Sequence, residues 1–395
     1  MSGLLQGPGL ARSRRWWCSV AAVAAAALLA ACSGFLGRDS TPAPPGPAQA
    51  STAIGAGSVR VGLLLPLSAP GNAGLAALSM KNAADMALAE FQSPNIQLLV
   101  KDDGGTAPGA QLAAQQAIQD GAEIILGPVS AASVGAAAQA ALGRGLPLIA
   151  FSNDVNVASK GVHLLSFLPE ADVDRVVDYA AANGKRSFAA LVPDNAYGTA
   201  VEAEFRQVVS RKGGRVVALE HYPADRQQIE EPTRRIAEAA READTIFVPD
   251  PDAAPAVASA LGANKRVQLV GTWLWDDPRS LSDPSLQGGW YAGPDIVGFR
   301  AFANRYRARY GQDPVRTATL AYDAVSLVAA LVKTQGPQRF SEEVLANPSG
   351  FSGLDGIFRF RPDGTNQRGL AVFRVTASGS QAISPAPKAF TGPGT

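Results

Sequence analysis

Short apolar runs alternate along this chain with longer segments of helical spacing, and the alternation occurs in two successive blocks. In the first block Val59–Leu65, 96–100, Ile124–Leu126 and 146–150 read as strands apolar on both faces, as a parallel sheet covered on both sides requires. Between them lie helical segments at 74–91, with Leu75, Leu78, Met86 and Ala89 on one face, at 108–120 and at 131–143. Strand, helix, strand repeated in this way predicts a doubly wound sheet. The second block repeats the pattern with strands at 188–192, 216–219, 245–248 and 267–270 and helices beginning near Tyr197, Gln227 and Ala253. The expected fold class is therefore α/β, with two doubly wound parallel-sheet lobes joined by a hinge. The last third adds helices Ile296–Tyr310 and 317–333, then a hairpin pairing 357–360 with 370–375 around Asp363 and Gly364. Val59 to Thr376 spans about 320 residues, enough for two cores of ordinary domain size.

The amino-terminal end has a different character. Residues 1–31 contain Arg12, Arg14 and Arg15, no acid, and an uncharged run from Trp16 to Ala31, the layout of a signal peptide. That run is shorter than the ~20 apolar residues of a spanning helix. It ends in Leu29-Ala30-Ala31-Cys32 followed by Ser33-Gly34, which resembles the bacterial lipobox, and Cys32 is the expected lipidation site. The residue after Cys32 is not aspartate, which resembles the outer-membrane sorting pattern of Gram-negative lipoproteins. The other cysteine, Cys18, lies within the expected leader, so no disulfide is expected in the mature chain. Removing the leader lowers Lys+Arg from 35 to 32 against 34 Asp+Glu, a net charge of −2. This balance has no basic block and argues against nucleic acid as a partner. Residues 38–58, rich in Pro, Ala, Gly, Ser and Thr, read as a semi-extended tether, and the tail at 378–395 as disordered.

Few residues suit catalysis. His163 and His221 have no second His or Cys at a metal-ligand spacing, and no nucleophile elbow or phosphate-binding loop occurs. Asp102-Asp103 reads as a turn before Gly104-Gly105 rather than a dyad, because adjacent side chains diverge. The candidate ligand residues lie instead at strand ends, where open α/β sheets bind small molecules. After 124–126 come Ser130 and Ser133, at a helix start whose N–H groups can hold a carboxylate; Ser130 is equally placed to cap its own helix. Ala150, Ser152 and Asn153 follow the next strand and serve equally as turn residues. In the second block Tyr197 offers a ring from the opposite wall or a packed interface. Asp250 and Asp276 can meet an ammonium or act as solvated caps, and Trp273 and Trp275 supply stacking area or core.

Val61-Gly62-Leu63-Leu64-Leu65-Pro66-Leu67-Ser68, Ile125-Leu126-Gly127-Pro128, residues 147–153, Asp194-Asn195-Ala196-Tyr197-Gly198 and Ala321-Tyr322-Asp323-Ala324 together resemble the type I periplasmic binding proteins of the leucine/isoleucine/valine-binding class. The resemblance implies hinge closure around a ligand between the lobes. In that family the loops matching Gly127 to Ser133 and Ala150 to Asn153 hold an amino acid's carboxylate and ammonium, and the tyrosine matching Tyr197 closes over it. Where those proteins carry a serine-rich loop this chain has Val129-Ser130-Ala131-Ala132-Ser133, and where they carry a glutamate it has Trp273-Leu274-Trp275-Asp276. The lipobox with Leu-Leu-Leu-Pro-Leu-Ser, Ile-Ala-Phe-Ser-Asn-Asp and Gly-Thr-Trp-Leu-Trp-Asp also resembles the penicillin-binding protein activators, lipoproteins that use this fold for protein contacts.

These readings divide the chain into a leader at 1–31 and a lipidated cysteine with tether at 32–58. Lobe one is assigned 59–167 with about 292–345, lobe two 168–291 with about 346–377, and the tail 378–395. The expected protein is not an enzyme and needs no cofactor or metal. It captures a small amino-acid-like ligand, and its expected partner is an ABC permease or, on the activator resemblance, a peptidoglycan synthase at the membrane.

Overall fold

The computed structural model describes residues 52–223, 228–262 and 266–390. The expected leader, Cys32 and most of the tether fall outside that range. The first lobe contains β1 (Thr52–Ile54), β2 (Val59–Leu65), α1 (Asn72–Glu90), β3 (Ile96–Asp102), α2 (Ala107–Gln119), β4 (Ile124–Leu126), α3 (Ala131–Leu142), β5 (Leu148–Ala150) and β6 (Val162–Leu164). Its sheet runs β1-β3-β2-β4-β5-β6, parallel except for β1, which adds antiparallel to β3. The last residues of the expected tether are thus part of the sheet edge.

Helix α1 turns a different face to the core from the one its leucines suggest. Ala77, Met80, Ala84 and Ala87 pack inward, whereas Leu75 is 64% and Leu78 44% exposed and Ala89 is exposed as well; Met86 is buried as expected. Small side chains on the inner face let α1 lie close against the sheet and a later helix, so steric fit outweighs the hydrophobicity of single residues. Helices α2 and α3 cover the other face through an alanine-rich seam including Ala113, Ala117 and Ala137.

The chain enters the second lobe through α4 (Pro169–Ala182), followed by β7 (Ser187–Asp194), α5 (Ala196–Arg211), β8 (Arg215–Pro223), α6 (Glu230–Ala239), β9 (Thr245–Phe247), α7 (Ala254–Leu261), β10 (Gln268–Gly271), α8 (Pro278–Ser282) and β11 (Trp290–Gly293). Helices α4 and α5 cover one face of this sheet, and α6 and α7 the other. Helices α9 (Ile296–Tyr310), α10 (Ala318–Thr334) and α11 (Glu342–Leu345) then return to the first lobe, where α10 packs along α1.

The end of the chain departs from the expected hairpin. β12 (Phe351–Gly353), β13 (Gly356–Phe360) and β14 (Asn366–Arg368) form a separate antiparallel sheet, so 357–360 pairs with 366–368 and not with 370–375. Phe358 and Phe360 belong to the first lobe's core, and the Leu164 N–H donates to the Gly364 carbonyl. Gly364, at φ +87°, lies so close to the Val162 and Ser159 carbonyls that a side chain has no room there. Residues 351–368 therefore extend the first lobe, correcting the assignment of 346–377 to the second. Only β15 (Ala371–Thr376) and β16 (Gly379–Ser384) join the second sheet, in the order β16-β15-β11-β10-β9-β7-β8. The expected disordered tail accordingly begins with a paired strand, because β15 offers a free edge.

Candidate functional site

On the first lobe the loops after β4 and β5 are held together by a hydrogen bond from the Phe151 N–H to the Pro128 carbonyl, 2.9 Å. Ser130 caps α3: its Oγ accepts from the Ser133 N–H at 3.2 Å and lies 2.8 Å from the Ser133 hydroxyl. Ser130 is exposed and Ser133 buried. The capping and binding roles are compatible, since the exposed hydroxyl sits beside the first-turn N–H groups of the helix. Ala150 is buried in β5, Ser152 is 3% exposed with its Oγ accepting from the Asp154 N–H at 3.2 Å, and Asn153 is exposed.

On the second lobe Asn195 caps α5 by accepting from the Gly198 N–H, which sets Tyr197 in the first turn. The Tyr197 hydroxyl lies 3.1 Å from Thr272 Oγ1, and Thr272 donates to the Pro249 carbonyl at 3.1 Å. Thr272 therefore accepts from Tyr197, a relay that fixes the ring across the ends of β7, β9 and β10. Burial, with Asp172, Asp250 and Glu170 nearby, keeps the Tyr197 phenol protonated well above its ordinary range. Asp250 accepts from the Tyr222 hydroxyl at 2.7 Å and from the Asp252 N–H at 2.9 Å. Asp276 accepts from the Tyr291 hydroxyl at 3.2 Å; burial raises its pKa against the opposing pull of that bond and of Arg316 and Arg300.

The two tryptophans separate. Trp273 is half-buried and packs on Phe167, with ring centroids 5.2 Å apart, in contact with the first lobe's core. Trp275 is fully buried in the second lobe, where its Nε1 donates to the Val248 carbonyl at 3.0 Å and its ring fills the space over Gly271 and Gly289. It presents no surface to a ligand.

Phe167 lies where β6 leaves the first lobe, with the guanidinium groups of Arg316 and Arg368 each 4.9 Å from its ring. Arg316 pairs with buried Asp355 at 2.6 Å, and Asp323 on α10 accepts from the Leu354 N–H at 2.8 Å. Burial and the neighbouring Asp355 raise the Asp323 pKa. Asp172, on the first turn of α4, is 3% exposed, and burial raises its pKa although the Trp273 N–H faces it. Glu170, in the same turn, is partly buried, and burial together with the nearby Asp154 charge raises its pKa.

The structure thus brings Tyr197 and Asp250 together, sets Asp276 near Arg316, and removes Trp275 to the core. Phe167, Glu170, Asp172, Thr272 and Arg316 are not among the candidate residues expected from the sequence, although Thr272 lies in the Gly-Thr-Trp-Leu-Trp-Asp run. The first three sit on or before α4, whose start carries a usable signal: Pro169 at the first position, then Glu170 and Asp172 in the first turn.

Two α/β lobes joined by three chain crossings, with polar strand-end loops on both sides, define a hinged ligand-binding protein. Residues 58–381 match the model of the periplasmic binding protein family, and the chain belongs to that family. It is a type I member and a binding protein, not an enzyme, and the family is one of exported periplasmic proteins. Among solved structures it is similar to a putative branched-chain amino acid ABC transporter protein from Rhodospirillum rubrum, at 21% identity and TM-score 0.74 over 82% of this chain and 99% of that one. It is also similar to a Rhodopseudomonas palustris solute-binding protein in complex with 3,4-dihydroxybenzoic acid, at 21% identity and TM-score 0.62 over 84% and 97%. A Streptococcus pneumoniae branched-chain amino acid binding protein in complex with isoleucine is similar at 19% identity and TM-score 0.60 over 83% and 99%. No curated protein sequence matches the chain.

Proposed function

We propose that this chain is a lipid-anchored solute-binding protein of the branched-chain amino acid transporter type, which captures a small amino-acid-like ligand between its lobes for an ABC permease. What supports the reading is an exposed Ser130 hydroxyl at the start of α3 on one lobe, with Tyr197 and the carboxylates Asp250 and Asp276 at strand ends of the other. A helix start attracts a carboxylate, and carboxylates attract an ammonium, so the two walls complement a zwitterion. Asn153 is the exposed residue of the first wall in this reading, with Ser133, Ala150 and Ser152 buried behind it, and the half-buried Trp273 flanks the opposite wall. Isoleucine and 3,4-dihydroxybenzoic acid, bound by two of the similar proteins, share a carboxylate.

The lipid on Cys32 confines the protein to its membrane, the outer one on the sorting pattern, and a tether of about 20 residues ahead of β1 restricts it to partners near that surface. Titration calorimetry and thermal melting of the purified protein against amino acids and small aromatic acids test the reading. Binding heat with a rise in Tm for at least one of them is expected. Absence of both with every compound, together with recovery of a peptidoglycan synthase on affinity purification from membranes, overturns transport in favour of cell-wall regulation.

A further inference from the structure

A second cavity, of about 710 Å³, opens behind the hinge. It is walled by the outer faces of α4 and α5, by the turn and strand at 361–368, and by the segment after β16 that ends in Phe390. None of Ser130, Ser133, Ser152, Asn153, Tyr197, Asp250, Trp273 and Asp276 lines it. Its volume lies in the range of pockets that hold small organic ligands.

Five arginines and four carboxylates line this cavity, and three of the arginines, Arg175, Arg361 and Arg368, come from separate elements. Arg175 on α4 donates to the Leu370 carbonyl at 2.9 Å and to the Ser384 hydroxyl at 2.5 Å, both neutral acceptors. Arg361, after β13, has a buried Nε with no acceptor. Arg368 is 6% exposed; its Nε donates to the Ser166 carbonyl at 3.0 Å, and its Nη1 and Nη2 are buried without acceptors among the described residues. Among the described residues none of the three forms an ion pair, whereas Arg211 at the cavity's far end pairs with Asp174. Asp363 is engaged in its own turn with Thr365. Buried Asp355 and Asp323 offset part of the Arg368 charge, and Glu204 faces the charge of Arg361, but the buried N–H donors stay unmet, and the planar guanidinium forks fit carboxylates. The cavity also offers acceptors: Glu170 Oε2 and Asn366 Oδ1 are buried with no donor, and Asn366 is 1% exposed.

We propose that this cavity is a second ligand site, separate from the interlobe cleft, for a small polycarboxylate that carries a hydroxyl donor. The carboxylates meet Arg175, Arg361 and Arg368, and the hydroxyl meets the acceptors on Glu170 and Asn366. Because α4 belongs to one lobe and residues 361–368 to the other, the ligand touches both sides of the hinge.

Citrate is the probe, with tricarballylate as the same tricarboxylate lacking the hydroxyl and inorganic phosphate as a simple anion, each titrated calorimetrically into the full-length protein at constant ionic strength. Expected are saturable binding of citrate, at least tenfold weaker binding of tricarballylate and phosphate, and at least tenfold loss of citrate affinity in Arg361→Ala. Among the described residues Arg361 makes no side-chain hydrogen bond, and Arg175→Gln provides a second variant on another element. The cleft variant Tyr197→Phe should bind citrate as the unaltered protein does. No citrate heat, equal binding of all three anions, unaltered binding in both arginine variants, or loss in Tyr197→Phe overturns the proposal.

Discussion

The indole of Trp273, from the second lobe, rests 5.2 Å from the ring of Phe167, where the chain leaves the first. One strand-end loop thereby touches the hinge itself, and Arg316 and Arg368 hold the phenyl ring it rests on.

Trp273→Ala removes that contact and part of the packing on the first lobe's core. The half-buried ring predicts a loss of about 2 kcal/mol, below the cost for a fully buried tryptophan. Urea unfolding followed by circular dichroism checks this, and an unchanged midpoint and slope would show that the contact carries no stability.

Trp275 makes the opposite case. Trp275→Ala should cost roughly 3–5 kcal/mol, from the cavity it leaves and the Val248 carbonyl it strands. Trp275→Phe should cost about 1–3 kcal/mol and leave ligand affinity within twofold where the variant stays folded. A large affinity loss in a folded Trp275→Phe protein would place the indole in ligand contact after all.

In the cleft, Tyr197→Phe cuts the relay to Thr272 while keeping the ring. A loss of about 1 kcal/mol, roughly fivefold in Kd, is expected for any ligand the hydroxyl contacts, and Ser130→Ala should weaken carboxylate ligands by a similar factor. Calorimetry on both variants reads this directly.

Asp103 gives a pH signature. Its carboxyl is 1% exposed, burial lifts its pKa to about 6 from the unfolded value of 3.8, and one bond from the Gly105 N–H opposes the shift. Between those values the folded state holds a proton that the unfolded state has lost, so this group's contribution to stability falls as pH rises toward 6 and levels off above it. The loss should be roughly 1–3 kcal/mol and should vanish in Asp103→Asn, as denaturation midpoints at pH 4 and pH 7 would reveal.

Cys32→Ser should release the protein from the membrane pellet into the soluble periplasmic extract and stop incorporation of labelled palmitate. Retention in the pellet without label would mean that another feature holds it there.

Much of the fold was readable because buried parallel strands need unbroken apolar runs, and Val59–Leu65 and Ile124–Leu126 have them. Helix Ile296–Tyr310 was bounded as read, with Asp295 capping one end and Gly311 closing the other. The orientation of α1 was not readable, because an alanine-rich helix has a weak apolar stripe and its exposed leucines mislead. Strand β14 escaped because Asn366, Gln367 and Arg368 look like loop; Asn366 and Arg368 are buried by what crosses over them, not by their own hydrophobicity.

The sequence by itself determined the two α/β lobes and the strand-end loops, since each rests on local periodicity. Only the tertiary structure decided which tryptophan faces the hinge and which fills the core. It also decided that 351–368 extends the first lobe and that arginines 186 and 193 residues apart from Arg175 meet it at one cavity. Those outcomes depend on long-range packing and on which carbonyl or ring lies opposite a side chain, information that is spread over distant segments and has no local signature.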